Sequence, residues 1–211
     1  MTEPTRLIRT DADLAEGMAH LTAVCPVWAR IAPELGPLPH LRRPDGFAAL
    51  ADAVVAQVIS VAAAETVSRR IREAGLMSPD AIVAADEDAL RATGLSRPKI
   101  RALKGIAAAG LDWDNLRRLP DDQAIAALTA LPGIGLWTAE IYLKLALGRP
   151  DVFAAGDLAL QEGARLLYGL DARPTAAALR RMAEPWRPWR AVAARGLWAY
   201  YLRVKGREGM R

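Results

Sequence analysis

The sequence contains almost none of the side chains that crosslink a protein or hold a metal. Its 211 residues include one cysteine, Cys25, and two histidines, His20 and His40. A single cysteine excludes an intramolecular disulfide, a four-thiolate zinc site and a four-cysteine iron–sulfur cluster. Two histidines leave little for transition-metal chemistry. We therefore expect an activity that requires no cofactor bound by side chains.

Long apolar runs are also missing. The amino-terminal segment MTEPTRLIRTDADLAEG is polar and lacks the apolar stretch of a signal peptide. No segment approaches the roughly 20 apolar residues that a membrane-spanning helix needs. We expect a cytoplasmic protein, in a bacterial-type cytosol or nucleoid, with no membrane partner. Its length allows a sizeable core in one domain or in two closely packed ones.

The net excess of positive charge lies at the carboxyl-terminal end of the chain. The formal net charge is +4, from 28 Lys plus Arg against 24 Asp plus Glu. Residues 173–211 hold ten basic and two acidic side chains, a net charge of +8, so the first 172 residues carry −4. Such a block indicates an anionic partner such as nucleic acid, or it is a solvated face that keeps the protein soluble. Charge alone does not separate these interpretations.

Helical periodicity dominates the chain and predicts an all-α protein. Residues 46–75 show apolar positions at helical spacing with no internal Gly or Pro, which favours one long buried helix, although their Val and Ile content makes a strand conceivable. Capping residues, Pro and Gly bound the other predicted helices. These lie within 78–94, 97–110, 120–133, 135–150, 156–169, 174–185 and 185–206.

The segment LPGIGLWTAEIYL, residues 131–143, is the most informative motif. Pro132 ends one helical pattern, and Gly133 and Gly135 permit a tight turn before the next. The first amides of the second helix point outward, and its dipole adds partial positive charge, which suits a phosphate oxygen. A plain helix-loop-helix with a tight turn is the structural alternative.

Four segments together resemble one family. They are AQVISVAAA at 56–64, the hairpin at 131–143, ALGRPDVFAAGDLAL at 146–160 and PWRPWRAVAARGLWAYY at 185–201. In this order they resemble the AlkA-like DNA-3-methyladenine glycosylase II family of the helix-hairpin-helix DNA glycosylase superfamily, over residues 8–205. The resemblance implies removal of alkylated purines such as 3-methyladenine from double-stranded DNA by a monomeric enzyme.

Asp157 precedes an apolar helical run, where an aspartate is ordinarily an N-cap. Its position matches the catalytic aspartate of the family, whose carboxylate stabilises the cationic sugar formed as the glycosidic bond breaks. Trp137 stands where strand-cleaving members have lysine, so the resemblance implies hydrolysis without lyase activity. Lys144 reads as a solvated helix residue.

Trp137 and Trp198 match the aromatic residues of the family's base pocket, where indole faces attract a cationic base. Core packing is the alternative for both residues, and it is our interpretation of Trp186 and Trp189.

The resemblance also implies a set of DNA contacts. Gln57 and Val58 match the tip that fills the gap left by the flipped base, although Val58 could equally lie on a core face. Phosphate contacts are expected from the amides near Gly133 and Gly135 and from four basic side chains, Arg97, Lys99, Arg187 and Arg190. By resemblance only, a monovalent cation, Na+ or K+, would be held by the backbone carbonyls of Thr129, Leu131 and Ile134.

The implied architecture is two helical subdomains with an active-site cleft between them. One would span residues 43–151 and include the hairpin, and the other would combine residues 1–42 with 152–211 and carry Asp157. Three alternative functions remain open: a glycosylase for neutral lesions such as hypoxanthine or ethenoadenine, a non-catalytic helix-hairpin-helix DNA-binding module, and an all-helical protein-interaction scaffold without DNA affinity.

Overall fold

The computed structural model describes residues 6–206, and every regular element in that range is helical. The all-α prediction is therefore confirmed. None of the helices in this range is long and apolar enough to cross a membrane. A 3-10 turn spans Glu184–Trp186. The α-helices are α1 (Asp11–Val24), α2 (Pro26–Leu35), α3 (Phe47–Val55), α4 (Val61–Glu73), α5 (Pro79–Ala84), α6 (Glu87–Ala92), α7 (Arg97–Ala108), α8 (Trp113–Arg118), α9 (Asp121–Thr129), α10 (Leu136–Leu145), α11 (Leu158–Tyr168), α12 (Ala176–Met182) and α13 (Arg190–Val204).

The chain divides into two compact units. The hairpin unit is Arg43–Leu147, and the terminal unit combines Met1–Arg42 with Gly148–Arg211. The carboxyl-side boundary lies a few residues before the predicted position at 151. The reason is that the 148–151 loop bonds within the terminal unit: the Gly148 carbonyl accepts from the Ile8 amide at 2.7 Å, and the Pro150 carbonyl accepts from the Ala191 amide at 2.8 Å.

The core of the terminal unit is built around Trp186. Its ring meets Trp28 and Phe153 edge-on at centroid distances of 5.7 and 5.8 Å. It also stacks on Tyr168 at 6.3 Å. Trp186 and Trp189 are both buried, which confirms the core interpretation of these two residues.

Helix α3 is the most buried helix of the hairpin unit. All of its residues except Ala48 are buried, and it packs against α4, α7 and α10. Its one carboxylate, Asp52, forms ion pairs with Arg72 and, at 3.7 Å, with Arg43. These pairs reduce the cost of burying a charge beside the apolar core.

The long helix predicted over 46–75 is wrong, because the chain breaks between α3 and α4. The break comprises residues 56–60, which we call the Val58 loop. Ser60 caps α4 by accepting from the Ala63 amide at 3.2 Å, so a second helix starts where the first was expected to continue. The segment at 78–94 likewise forms two short helices, because Asp86 caps α6 through the Ala89 amide.

Candidate nucleic-acid interface and catalytic residue

The turn of the hairpin joins α9 to α10 and packs on the face of α7. Gly133 has a φ of +76°, a left-handed conformation that favours glycine. A Cβ atom on Gly133 would lie 2.6 Å from the Cβ of Ala102. Pro132 packs equally closely over Gly105, where a side chain would clash with its ring. The two glycines therefore bring the turn and α7 into direct contact.

Helix α10 begins without a side-chain cap, since its N-cap residue is Gly135. The next residue, Leu136, is exposed although it is large and apolar. The first amides of a helix have no partner within the helix, and the helix dipole makes this end positive. This end of α10 therefore offers backbone donors and positive charge, and the phosphate contact that the motif predicts there stays a prediction.

Val58 forms the tip of its loop. Its side chain is fully exposed, at 102% of the reference value, so the alternative that it lies on a core face is wrong. Its φ is +58°, a conformation that β-branched residues rarely adopt and that costs on the order of 1–3 kcal/mol. Ile59 and Val61 beside it are also exposed. The loop thus presents an apolar projection to solvent.

The Gln57 side chain points to the hairpin instead of following Val58 outward. Its Nε2 donates to the Gly133 carbonyl at 3.0 Å and to the Thr138 hydroxyl at 2.8 Å. The sequence predicted a DNA contact for Gln57 together with Val58. The structure separates the two residues, with Val58 at the tip and Gln57 tied to the protein.

Lys99 also supports the Val58 loop. Its Nζ donates to the Val55 carbonyl at 2.7 Å, where α3 ends. Desolvation by burial lowers the pKa of Lys99. The phosphate contact of Lys99 stays a prediction, and in the structure its ammonium group bonds to the end of α3. Arg97, on the same helix, is exposed and forms only a 3.3 Å surface pair with Glu87. Such pairs are weak, so a phosphate could replace Glu87.

Asp157 is the N-cap of α11, as the sequence predicted. Its Oδ1 accepts from the amides of Ala159 and Leu160 at 2.9 and 3.3 Å. These bonds hold a half-buried carboxylate in one orientation at the positive end of the helix. The following residue, Leu158, is exposed. The geometry suits a carboxylate that acts electrostatically on a bound group.

Helices α11 and α13 pack closely; Asp157 caps the first helix, and Trp198 lies on the second. A Cβ on Gly163 would lie 2.5 Å from the Leu197 carbonyl oxygen, so glycine is needed for the close approach. Trp198 follows Leu197 and is half-buried against the core of the terminal unit. Gly163 is a site residue that was not predicted; its signal in the sequence is an isolated glycine inside a helical pattern.

Two arginines of the basic block near the carboxyl end, Arg187 and Arg190, form ion pairs within the terminal unit. Arg190 is buried and pairs with Asp151 at 2.8 Å and with Glu184 at 3.1 Å. This corrects the expected DNA contact, because the guanidinium supports the 148–151 loop. Arg187 pairs with the same two carboxylates but keeps 55% of its side chain exposed. Arg195 is buried, and burial lowers its pKa to about 10.

Helix α10 carries the remaining predicted residues of the hairpin unit. Trp137 is half-buried. Lys144 is buried, so its interpretation as a solvated residue is wrong: α10 is enclosed on several sides, and Thr138, Ala139 and Tyr142 are buried with it. The Lys144 side chain is thus part of the interior of the hairpin unit.

The carbonyls expected to bind a cation lie at the junction between α9 and the hairpin turn. Thr129 ends α9, and the Leu131 carbonyl accepts from the Ile134 amide at 3.2 Å. Carbonyls at the end of a helix lack partners within that helix, which suits a cation of low charge. The cation remains a prediction, and in the structure the Leu131 carbonyl already accepts one hydrogen bond.

Comparisons with known proteins agree on one family. Residues 51–188 match the HhH-GPD superfamily of base excision DNA repair proteins. DNA-3-methyladenine glycosylase 1 of Schizosaccharomyces pombe is 30% identical over 197 residues, covering 88% of this chain and 86% of that protein. DNA-3-methyladenine glycosylase 2 of Escherichia coli is 31% identical over 177 residues, covering 76% of this chain and 60% of that protein. The structure of the S. pombe 3-methyladenine DNA glycosylase Mag1 in complex with abasic DNA superimposes with a TM-score of 0.80 at 30% identity, covering 90% of this chain and 97% of that one.

Proposed function

Because the chain belongs to the HhH-GPD superfamily of base excision DNA repair proteins and is an AlkA-like DNA glycosylase for alkylated bases, we propose that its substrates are cationic alkylated purines such as 3-methyladenine. The single observation that carries the proposal is the N-cap geometry of Asp157, whose carboxylate is held by the Ala159 and Leu160 amides. The protein acts as a monomer on double-stranded DNA.

Asp157 is the catalytic residue. As the bond between the base and C1′ of the deoxyribose breaks, positive charge develops on the sugar, and a fixed carboxylate stabilises it. The bonding electrons leave with the base, which departs neutral because it was cationic. A water molecule then adds its hydroxyl to C1′ and releases a proton. The product is an abasic site.

The base is recognised by its charge and its flat shape. An electron-poor alkylated purine stacks on an indole face and gains a cation–π contribution. Trp198, on helix α13 beside the helix that Asp157 caps, supplies such a face in this proposal. Trp137 is assigned the same role by its match to the family motif. Since an indole has no amine, Trp137 cannot form a Schiff base, and the enzyme releases the base without cutting the strand.

The hairpin unit binds the phosphate backbone of DNA, and its apolar Val58 loop displaces the damaged base. The α10 amides after Gly135 bind a phosphate, and Arg97 adds a second phosphate contact. Val58 enters the stack where the damaged base leaves. A monovalent cation on the carbonyls of Thr129, Leu131 and Ile134 would supply positive charge beside the phosphate.

The test is a panel of duplexes with one lesion each. We expect release of 3-methyladenine to exceed release of hypoxanthine and ethenoadenine, with strand breaks only after alkali treatment. Preferential release of a neutral base would overturn the lesion class, and alkali-independent breaks would overturn the assignment of Trp137. Salt-sensitive duplex binding without release of any base would identify a DNA-binding module instead.

A further inference from the structure

The amide of Gln57 connects two parts of the hairpin unit that are far apart in sequence. Its acceptors, Gly133 and Thr138, lie 76 and 81 residues after Gln57 in the sequence. The Gly133 carbonyl can only accept a hydrogen bond, so the atom that faces it must be the amide nitrogen of Gln57. Thr138 is buried, and its hydroxyl takes the second N–H of the same group.

These two hydrogen bonds are made by the residue next to Val58, whose backbone is strained. Val58 adopts a positive φ with its side chain wholly in solvent, so no packing of that side chain holds the conformation. Such a conformation persists only where the surrounding structure determines it. The residue before Val58, Gln57, is hydrogen-bonded to the hairpin turn. Two residues earlier, the Val55 carbonyl accepts a hydrogen bond from Lys99.

The hairpin turn is itself fixed on α7. Gly133 meets Ala102, and Pro132 lies over Gly105. Lys99 belongs to the same helix, so α7 contacts both the start of the Val58 loop and the turn that precedes the phosphate site. The Gln57 amide is the direct link between the loop and the turn.

We propose that Gln57 is a positioning residue that joins the Val58 loop to the hairpin turn, so that base displacement and phosphate binding act as one element. The inference rests on the proposed function of both segments. A loop held in place before DNA arrives enters the stack without first being ordered, which lowers the cost of displacing the base. Gln57 does this from within the protein, without touching the base.

The primary variant is Gln57→Glu, which keeps the side-chain shape but removes both N–H donors and places a carboxylate opposite the Gly133 carbonyl, while the Thr138 hydroxyl can turn to donate to it. Single-turnover base release from a 3-methyladenine duplex should fall by about tenfold, as expected for loss of one or two hydrogen bonds. Release of the same lesion from single-stranded DNA should be unchanged, because that base is already unstacked. The fluorescence of 2-aminopurine beside the lesion should report fewer displaced bases.

Two further variants keep the inference falsifiable if Gln57→Glu folds poorly. Thr138→Val removes one acceptor and leaves the loop sequence intact, so it should give a smaller loss in the same direction. Thr138→Ser retains the hydroxyl and should restore the activity. Gln123→Glu makes the same chemical change at an exposed position of α9 and should behave as the unaltered protein.

The outcomes separate this inference from the proposed function. Equal losses on duplex and single-stranded DNA, or no difference between Gln57→Glu and Gln123→Glu, would overturn the positioning role while base release itself remained intact. Absence of base release by the unaltered protein from every lesion would overturn the proposed function and the inference together.

Discussion

Two helix N-termini carry the proposed chemistry. They differ in whether the side chain of the N-cap residue accepts hydrogen bonds from the first backbone amides of the helix. Helix α10 follows Gly135, which has no side chain to offer. Helix α11 follows Asp157, whose own carboxylate accepts from the Ala159 and Leu160 amides. The two helices have the same positive end. The residue at the N-cap therefore decides whether that end receives an anion from outside or holds one that belongs to the chain.

This difference assigns the two ends to separate tasks. An uncapped end provides backbone donors for a DNA phosphate without reading the base sequence. A capped end provides an oriented carboxylate, which suits a positively charged sugar. Exchanging the chemistry of either N-cap should abolish one task and spare the fold.

The largest effect is expected from Asp157→Asn. The amide oxygen can still accept from the two backbone amides, so the Tm should change little. Loss of the negative charge should slow base release by about a hundredfold or more, the range seen when one electrostatic group is removed from an active site. Single-turnover release from an alkylated duplex and thermal unfolding measure the two quantities.

The matched control is Asp86→Asn, which makes the same change at another N-cap. Asp86 caps α6 by accepting from the Ala89 amide at 2.7 Å. Base release should be unaffected there. If Asp157→Asn and the unaltered protein released the base equally fast, Asp157 would be a helix cap without a catalytic role.

A tenfold effect is expected from giving α10 a carboxylate of its own. At Gly135, φ is −90° and ψ is 172°, and a Cβ would meet no atom within 4 Å, so Gly135→Asp fits the fold. The new cap should add a few tenths of a kcal/mol to the free energy of unfolding. Affinity for an undamaged duplex should fall by about tenfold, because the carboxylate occupies the amides and repels the phosphate.

Fluorescence anisotropy at several salt concentrations measures this loss, with Gly135→Ala as the uncharged control. If Gly135→Ala weakens binding as much as Gly135→Asp, the N-terminus of α10 binds no phosphate and the comparison between the two helix ends fails.

The smallest effect on DNA binding is expected from single arginines. Arg97→Gln should reduce the slope of log affinity against log salt by about one, as for one lost phosphate contact. Arg190→Gln should leave that slope unchanged but lower the free energy of unfolding by roughly 1–3 kcal/mol, because Asp151 loses its buried partner. The reverse pattern would return Arg190 to the DNA surface and make Arg97 a solvated residue.

The features that sequence reasoning predicted well are local ones. The tight turn at Gly133 and the cap at Asp157 each depend on a few neighbouring residues whose backbone preferences are known. The comparisons show the family that the motifs resembled, and the roles that this resemblance gives to the two positions stay predictions.

The features that could not be predicted from the sequence depend on contacts between residues that are far apart along the chain. The helical pattern through Val58 was locally strong, but Lys99 and Gly133 bond to the segment across 44 and 76 positions. Arg190 belonged to a basic block in the sequence, and its partner Asp151 lies 39 positions earlier. Helix propensity and charge counts contain no information about such partners, so tertiary structure decided both outcomes.

The contact between Gly163 and the Leu197 carbonyl has a consequence for how this enzyme can evolve. Gly163 has no side chain and takes no part in the reaction, yet any larger residue would separate the helices that carry Asp157 and Trp198. Val58, whose side chain touches almost nothing, can exchange that side chain without repacking a core. Among related sequences, substitutions should therefore be found at Val58 more readily than at Gly163.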